Sequence, residues 1–268
     1  MALRSTWRKP WRKPWGYPLQ DWTPAQLFAS GDKGFYVDPI AGLYVFSDTA
    51  GTTHAPLAGT VARLDAPPGS PVAASFTNAT VSQQPICRVD GLEFDGVDDW
   101  LALPDDPALR FGTTSWTLAI AAYADVVTGF RTLLDKRGTV SGPGYNFGLY
   151  DGTGRLRIVL QDATQTKLGY AQPNGGWVAG QWVHAIVEID RSAALVRTYI
   201  DNVHQAANNI ALGTLADISG TQPLIIGASI TSGMYSWDGR EGRILMIEKL
   251  LSPAERAKLN AWLKEPHS

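Results

Sequence analysis

The sequence has little metal-binding or redox chemistry to offer, since its 268 residues include one cysteine, Cys87, and four histidines. A single cysteine excludes an internal disulfide and a thiolate zinc cluster. The scattered histidines argue against a histidine-built metal centre. Cys87 follows Pro85 and Ile86, and we interpret it as a small buried hydrophobic residue.

Long apolar runs are also missing. No stretch of about 18 apolar residues occurs, so the sequence predicts no membrane-spanning helix. The first residues are charged and lack an apolar segment, so we expect no secretory signal peptide.

Glycine and proline are plentiful. The 27 glycines and 17 prolines together make up a larger fraction of the residues than the usual value of about 12%. This excess favours a β-rich chain with many turns. The length fits one large all-β domain of roughly 200–250 residues with an appendage.

The net charge of −2 hides an asymmetry. Residues 1–22 hold five basic side chains and one acidic one, a net charge of +4, which leaves −6 for the rest of the chain. The same segment contains a tandem repeat of Trp-Arg-Lys-Pro. We expect this basic arm to anchor the protein to a partner chain through Trp7, Arg8, Lys9, Trp11, Arg12, Lys13 and Trp15.

The prolines of the arm exclude a continuous helix and favour extended backbone. In an extended strand, a four-residue repeat places every tryptophan on one face, which needs a surface to lie on. Basic and aromatic residues together also suit single-stranded nucleic acid or an anionic membrane. We favour a neighbouring subunit over both, because the rest of the chain is acidic and Trp and Arg dominate interface hot spots.

Helices are predicted only near the two ends of the globule. Thr23-Pro24 and Ser252-Pro253 each have the chemistry of a helix start, and Leu259, Trp262 and Leu263 give the second helix an apolar stripe. Alternating apolar residues predict strands over 116–122, 156–160, 181–190, 195–201 and 235–248. Many strands separated by Asp-Gly turns are typical of a β-sandwich or jelly roll.

Five segments, within residues 91–101, 115–118, 180–185, 196–202 and 238–255, resemble the strands of laminin-G-like, concanavalin A-like jelly rolls, in that family's order. The resemblance covers residues 91–263. It implies a mainly β, concanavalin A-like jelly-roll sandwich with an extended N-terminal arm and short terminal helices. Upstream, residues 27–39 and 46–53 are similar to a leader segment of bacteriophage and prophage structural proteins that carry such a domain.

This resemblance implies three regions: the arm at 1–22, a small N-terminal subdomain with a covering loop at 23–90, and the jelly roll at 91–268. It also implies a non-enzymatic virion protein, tail or baseplate associated, that displays a lectin-like domain for attachment to host-surface glycans. The expected partners are other virion proteins within an oligomeric assembly, and neither nucleic acid nor membrane. The alternatives are a capsid decoration protein without a ligand and a carbohydrate-binding module of a cellular enzyme.

Two kinds of binding site are candidates, one for calcium and one for sugar. Asp95, Asp98 and Asp99 form a carboxylate cluster that could hold calcium or could simply bond backbone amides in a turn. Relatives often add an Asp after the last Asp-Gly-Arg turn, where this chain has Glu241. Aromatic residues near predicted turns could stack on sugar rings, and Trp177 is the strongest candidate for exposure among Trp100, Tyr145, Trp177, Tyr235 and Trp237.

A glycanase site is not expected. Retaining hydrolysis needs two carboxyl groups about 5–5.5 Å apart. Glu188 and Asp190 begin a glucanase-like pattern, but Ala193 and Ala194 occupy the positions of the second Glu.

Overall fold

The computed structural model of the protein describes residues 22–40, 43–138, 142–150, 152, 154–164, 166–171, 177–205, 210–229 and 235–267. Its strands, numbered in chain order, form two antiparallel sheets. The first sheet contains β1 Gly34–Val37, β5 Ile86–Arg88, β6 Gly91–Asp95, β8 Trp116–Ala124, β13 Trp182–Asp190, β14 Leu195–Ile200, β15 Val203–His204, β16 Ile210–Ala211 and β18 Asp238–Ile247.

The second sheet runs in the order β12-β11-β10-β9-β17-β7-β4-β3-β2. Its strands are β2 Val45–Phe46, β3 Arg63–Asp65, β4 Ser75–Thr77, β7 Leu101–Leu103, β9 Arg131–Asp135, β10 Gly144–Tyr150, β11 Arg155–Gln161, β12 Thr166–Ala171 and β17 Leu224–Ile226. The two sheets form the predicted mainly β sandwich.

The main core lies between the sheets, as the period-two patterns predict. On β8, Trp116, Leu118 and Ile120 point into this core, and Ala119 and Ala121 point to the outer face of the first sheet. That outer face is buried as well, because a helix covers it.

The covering helix, α1, spans Pro253–Lys264. Ser252 and Glu255 form the predicted capping box, and Leu259, Trp262 and Leu263 are buried against the first sheet. Among the described ranges, no helix has the length and apolar character needed to cross a bilayer.

The N-terminal part differs from expectation in two ways. The predicted first helix is a 3-10 helix over Pro24–Phe28, and the Thr23 side chain does not cap it. Residues 23–90 contribute five strands: β1 pairs with β18, β5 pairs with β6, and β2 to β4 extend the second sheet. Residues 66–90, predicted as a covering loop, therefore include two strands of the sandwich.

Candidate functional site

The candidate site is an aromatic patch on the outer face of the second sheet, made by Phe130, Tyr150 and Tyr235. The ring centroids of Phe130 and Tyr150 are 4.9 Å apart, and those of Phe130 and Tyr235 are 5.4 Å apart. Phe130 and Tyr235 are 40% and 39% exposed, so their rings are accessible to a ligand. The Phe130 ring is inclined by 66° to Tyr150 and by 55° to Tyr235, so the three rings form an apolar cluster of tilted faces.

Strand geometry explains how the patch forms. Tyr145, Phe147 and Leu149 of β10 face the core, so Tyr150 faces outward by alternation. Tyr150 pairs with Arg155 across the β10–β11 hairpin. Phe130 immediately precedes β9, the strand on the other side of β10.

Two arginines of β11 lie over the rings. The guanidinium carbon of Arg157 is 5.3 Å from the Phe130 ring centroid, and that of Arg155 is 5.6 Å from the Tyr150 ring centroid. Arg157 pairs with Gly148 of β10. Only glycine fits there, because a Cβ would lie 1.9 Å from the Arg131 carbonyl oxygen.

A buried polar network lies beside the patch. Arg157 Nη1 donates to Asn146 Oδ1 at 2.9 Å, and Asn146 Nδ2 donates to Asp135 Oδ2 at 3.0 Å. Asp135 also accepts from Arg137 Nη2 at 2.9 Å and Ser229 Oγ at 2.5 Å. Because Asn146, Asp135 and Ser229 are almost fully buried, the network fixes the position of the Arg157 side chain.

Tyr235 is held in a strained backbone conformation. Its φ is +58°, a region that non-glycine residues rarely adopt. The Thr132 amide donates to the Tyr235 carbonyl oxygen at 2.7 Å, and Arg131 Nη1 donates to the Ser236 carbonyl oxygen at 3.1 Å. Such strain is typical of residues whose orientation serves a binding site.

The three aspartates predicted to cluster are together. One carboxylate oxygen from each of Asp95, Asp98 and Asp99 lies within 4.8 Å of the others. Burial, followed by the negative charge of Asp95, raises the pKa of Asp99 to about 7. A hard cation would relieve this repulsion, so the donor set fits calcium, with these three side chains as its ligands.

The same carboxylates also form a hydrogen-bonded turn. Asp95 Oδ1 accepts from the amides of Val97 and Asp98, and Asp99 Oδ2 accepts from the Asp95 amide at 3.1 Å. Glu241, which follows the last Asp-Gly-Arg turn, is buried opposite Leu92 of β6. Both interpretations, a hydrogen-bonded turn and a calcium site, therefore involve only Asp95, Asp98 and Asp99.

The predicted aromatic candidates separate into exposed and buried residues. Tyr235 belongs to the aromatic patch, and Trp100 is half-buried. The exposure predicted for Trp177 is wrong: its ring is 2% exposed and packs edge-on against Trp237, which is 0% exposed. Tyr145 is also core, and its hydroxyl donates to the Leu109 carbonyl oxygen at 3.1 Å. These three rings have no free face for a sugar.

Phe130, Tyr150, Arg155 and Arg157 were not predicted as site residues. One signal was available, since Tyr150 and Arg155 flank the four residues 151–154, which contain an Asp-Gly pair and indicate a hairpin. The arm residues Trp7, Arg8, Lys9, Trp11, Arg12, Lys13 and Trp15 lie outside the described residues. Trp22, at the end of the arm, is half-buried against the helix-covered outer cluster.

The carboxylates of the glucanase-like pattern are engaged in ion pairs. Glu188 Oε1 is 2.9 Å from Arg256 Nη1, and Asp190 Oδ2 is 2.6 Å from Arg197 Nη1. Burial raises the pKa of Asp190, but hydrogen bonds from Ser192, Ala193 and Arg197 outweigh it and lower the pKa to about 2. An aspartate in this environment stays ionised and does not donate a proton near neutral pH.

Comparison with protein-family models finds no match, and comparison with curated proteins finds none either. Solved structures share the fold. A mutant of Trypanosoma rangeli sialidase displaying trans-sialidase activity has a TM-score of 0.54 and 18% identity, with 88% of this chain and 34% of that chain covered. The binding domain of Paraclostridial Mosquitocidal Protein 1 has a TM-score of 0.51 and 11% identity, with 87% and 52% covered.

A third structure is the CBM40 domain of Ruminococcus gnavus IT-sialidase bound to α2,3-sialyllactose. It has a TM-score of 0.50 and 14% identity, with 64% of this chain and 96% of that chain covered. This chain thus spans about a third to a half of the first two proteins and most of the third. At these identities the likeness shows the fold alone, a jelly-roll β-sandwich.

Proposed function

We propose that this protein is a lectin-like module that binds glycans through the aromatic patch. The observation that carries the proposal is the aromatic patch on the outer face of the second sheet, in which the rings of Phe130 and Tyr235 are accessible and Tyr150 packs beside Phe130. Apolar faces of sugar rings stack on such platforms, and arginine N–H groups beside them bond hydroxyl or carboxylate oxygens. That one neighbour of this fold is a CBM40 domain bound to sialyllactose supports the proposal.

A glycan array tests it with the wild type, Phe130→Ala and Tyr235→Ala. Both variants should remain folded, because their rings are on the surface, and should lose at least tenfold in apparent affinity. Tyr123→Ala is a matched control, since Tyr123 is a tyrosine beneath an arginine on the opposite sheet, with Arg240 4.1 Å from its ring centroid. Binding that survives both patch substitutions, or no binding to any glycan, would overturn the proposal.

We further propose that the module acts on a tailed-phage virion, in the tail or baseplate, where the arm anchors it to other virion proteins. The support is the sequence resemblance to phage structural proteins and the repeated Trp-Arg-Lys-Pro of residues 7–14. Deleting residues 1–22 should leave a folded domain that binds glycan and no longer joins particles. If the truncated protein still assembles, the anchoring role is wrong.

A further inference from the structure

We infer that His184 and His267 form a binding site for a divalent transition-metal ion such as Zn²⁺. The two residues are 83 positions apart in the chain, so only the fold brings them together. His184 lies on β13, where Ala185 and Val187 face the core, so its imidazole points to the outer face of the first sheet. His267 follows α1, and its ring stacks on Trp182.

The outer nitrogen of each imidazole donates a hydrogen bond to an oxygen. His184 Nδ1 donates to Asp201 Oδ1 at 2.9 Å, and His267 Nε2 donates to the Asp90 carbonyl oxygen at 3.1 Å. An ionised carboxylate and a carbonyl group can only accept, so both protons belong to the imidazoles. Histidines that bind metal ions have this arrangement, because the oxygen that accepts from one ring nitrogen fixes the tautomer and leaves the other nitrogen's lone pair for the ion.

The inner nitrogens of the pair therefore face each other as two lone pairs. Two neutral imidazoles carry two protons, and the contacts with Asp201 and Asp90 use both. A positive charge between the inner nitrogens relieves their repulsion, and it can be a third proton or a metal ion.

The separation of the inner nitrogens favours the metal ion. His184 Nε2 and His267 Nδ1 are 3.2 Å apart. A charge-assisted hydrogen bond would bring them to about 2.7–2.9 Å. Two nitrogens bound to one Zn²⁺ at about 2.0–2.1 Å are 3.2 Å apart when the nitrogen–zinc–nitrogen angle is about 100°, close to tetrahedral.

The surroundings of the pair accept a cation. The basic side chains near it are each paired with a carboxylate: Lys264 with Asp201 at 3.0 Å, Arg243 with Glu265 at 2.8 Å, and Arg240 with Asp90 at 2.5 Å. Within the described ranges, no third His, Cys, Asp or Glu side chain lies close enough to share the ion. Water fills the remaining positions of such an open site, and the half-buried His267 gives it access to solvent.

Isothermal titration calorimetry of metal-stripped protein with Zn²⁺ at neutral pH tests the site. The wild type should bind one Zn²⁺ here, and His267→Phe, which keeps the ring on Trp182, should lose at least tenfold in affinity. Asp201→Asn should lose about tenfold, because it weakens the hydrogen bond that orients His184. Two controls should bind like the wild type: His54→Gln, at an exposed histidine, and Asp98→Asn, in the aspartate cluster.

A second measurement needs no variant. With one equivalent of Cu²⁺, the electron paramagnetic resonance spectrum of the wild type should show hyperfine splitting from imidazole nitrogens, since imidazole is a preferred ligand of copper as well as zinc. Excess Ca²⁺ should not displace either ion, because calcium prefers oxygen ligands.

Three results would overturn the inference. A wild type that binds neither Zn²⁺ nor Cu²⁺ would mean that a proton lies between the imidazoles. Equal affinity in the wild type and a folded His267→Phe would place the ion elsewhere, and loss of binding in Asp98→Asn would place it on the aspartates. The pair lies on the first sheet and the aromatic patch on the second, so Zn²⁺ should not change glycan binding, and either proposal can fail without the other.

Discussion

The imidazoles of His184 and His267 face each other, with His184 Nε2 3.2 Å from His267 Nδ1. Asp201 Oδ1 accepts from His184 Nδ1 at 2.9 Å, and the Asp90 carbonyl oxygen accepts from His267 Nε2 at 3.1 Å. The His267 ring also stacks on Trp182, with centroids 3.5 Å apart. This pair docks the last residues of the chain onto the first sheet.

The His184–His267 pair predicts that the folded protein loses stability in acid. Burial lowers the pKa of His267 to about 4, and the His184 and Arg243 charges act in the same direction; the carbonyl and charge of Asp90 oppose it. Burial also lowers the pKa of His184; its hydrogen bond to Asp201 opposes this shift, and the charge of Lys264 acts in the same direction as burial. Because the folded pKa of His267 lies below that of an unfolded histidine, about 6.5, its contribution is present above pH 6.5 and is lost as pH falls towards 4.

Urea unfolding of the wild type and of His267→Phe between pH 7.5 and 4 measures the contribution of His267 to the free energy of unfolding. Phenylalanine keeps the stacking on Trp182 and does not titrate. The wild type should lose about 1–2 kcal/mol more than the variant across this range, after allowance for the partial exposure of the ring. Parallel pH profiles for the two proteins would show that His267 does not titrate in this way.

Calcium should stabilise the protein if it binds the aspartate cluster. An ion bound only by the folded state adds about 2.7 kcal/mol at 100 times its Kd. We therefore expect the Tm of metal-stripped protein to rise with calcium, and Asp98→Asn to reduce the rise because it removes one of three carboxylate ligands. An unchanged Tm would leave the three aspartates as a hydrogen-bonded turn.

Buried and exposed aromatics near one loop should respond differently to truncation. Trp237→Ala should cost about 3–5 kcal/mol of unfolding free energy, because its ring is fully buried against Trp177. Tyr235→Ala should cost less than about 1 kcal/mol and should act on glycan binding instead. Urea unfolding measures the stability of the two variants, and the glycan array measures their binding. A large loss of unfolding free energy in Tyr235→Ala would mean that this ring has a structural role.

The sequence alone predicted individual strands and the C-terminal helix, but it did not predict which aromatic residues are exposed. Alternation of apolar residues located β8 and β13, and the Ser252–Glu255 capping box located α1, because such signals are local in the chain. The aromatic patch joins Phe130, Tyr150 and Tyr235 from three separate segments, so only the sheet register brings them together. Closeness to a turn did not predict exposure, since the loop containing Trp177 folds its ring into the core.

Glu241 is a carboxylic acid in the core between the two sheets. It is 1% exposed and lies opposite Leu92 and Ala122, and within the described residues neither carboxylate oxygen has a hydrogen-bond partner. Burial raises its pKa well above the usual value, and an interaction with the Gly227 amide opposes this only in part. That amide already donates to the Leu133 carbonyl oxygen at 3.1 Å.

An acid whose pKa is raised by folding contributes stability below its unfolded pKa and loses that contribution as pH rises towards the folded value. Glu241→Met removes the carboxyl group at similar length, so the variant should be about 1–3 kcal/mol more stable than the wild type at pH 8 and should gain less at pH 5. Urea unfolding at both pH values tests this, with Glu93→Gln, a half-exposed partner of Arg88, as the control. A wild type whose stability relative to Glu241→Met does not change with pH would mean that Glu241 stays in one protonation state, which contradicts the burial argument.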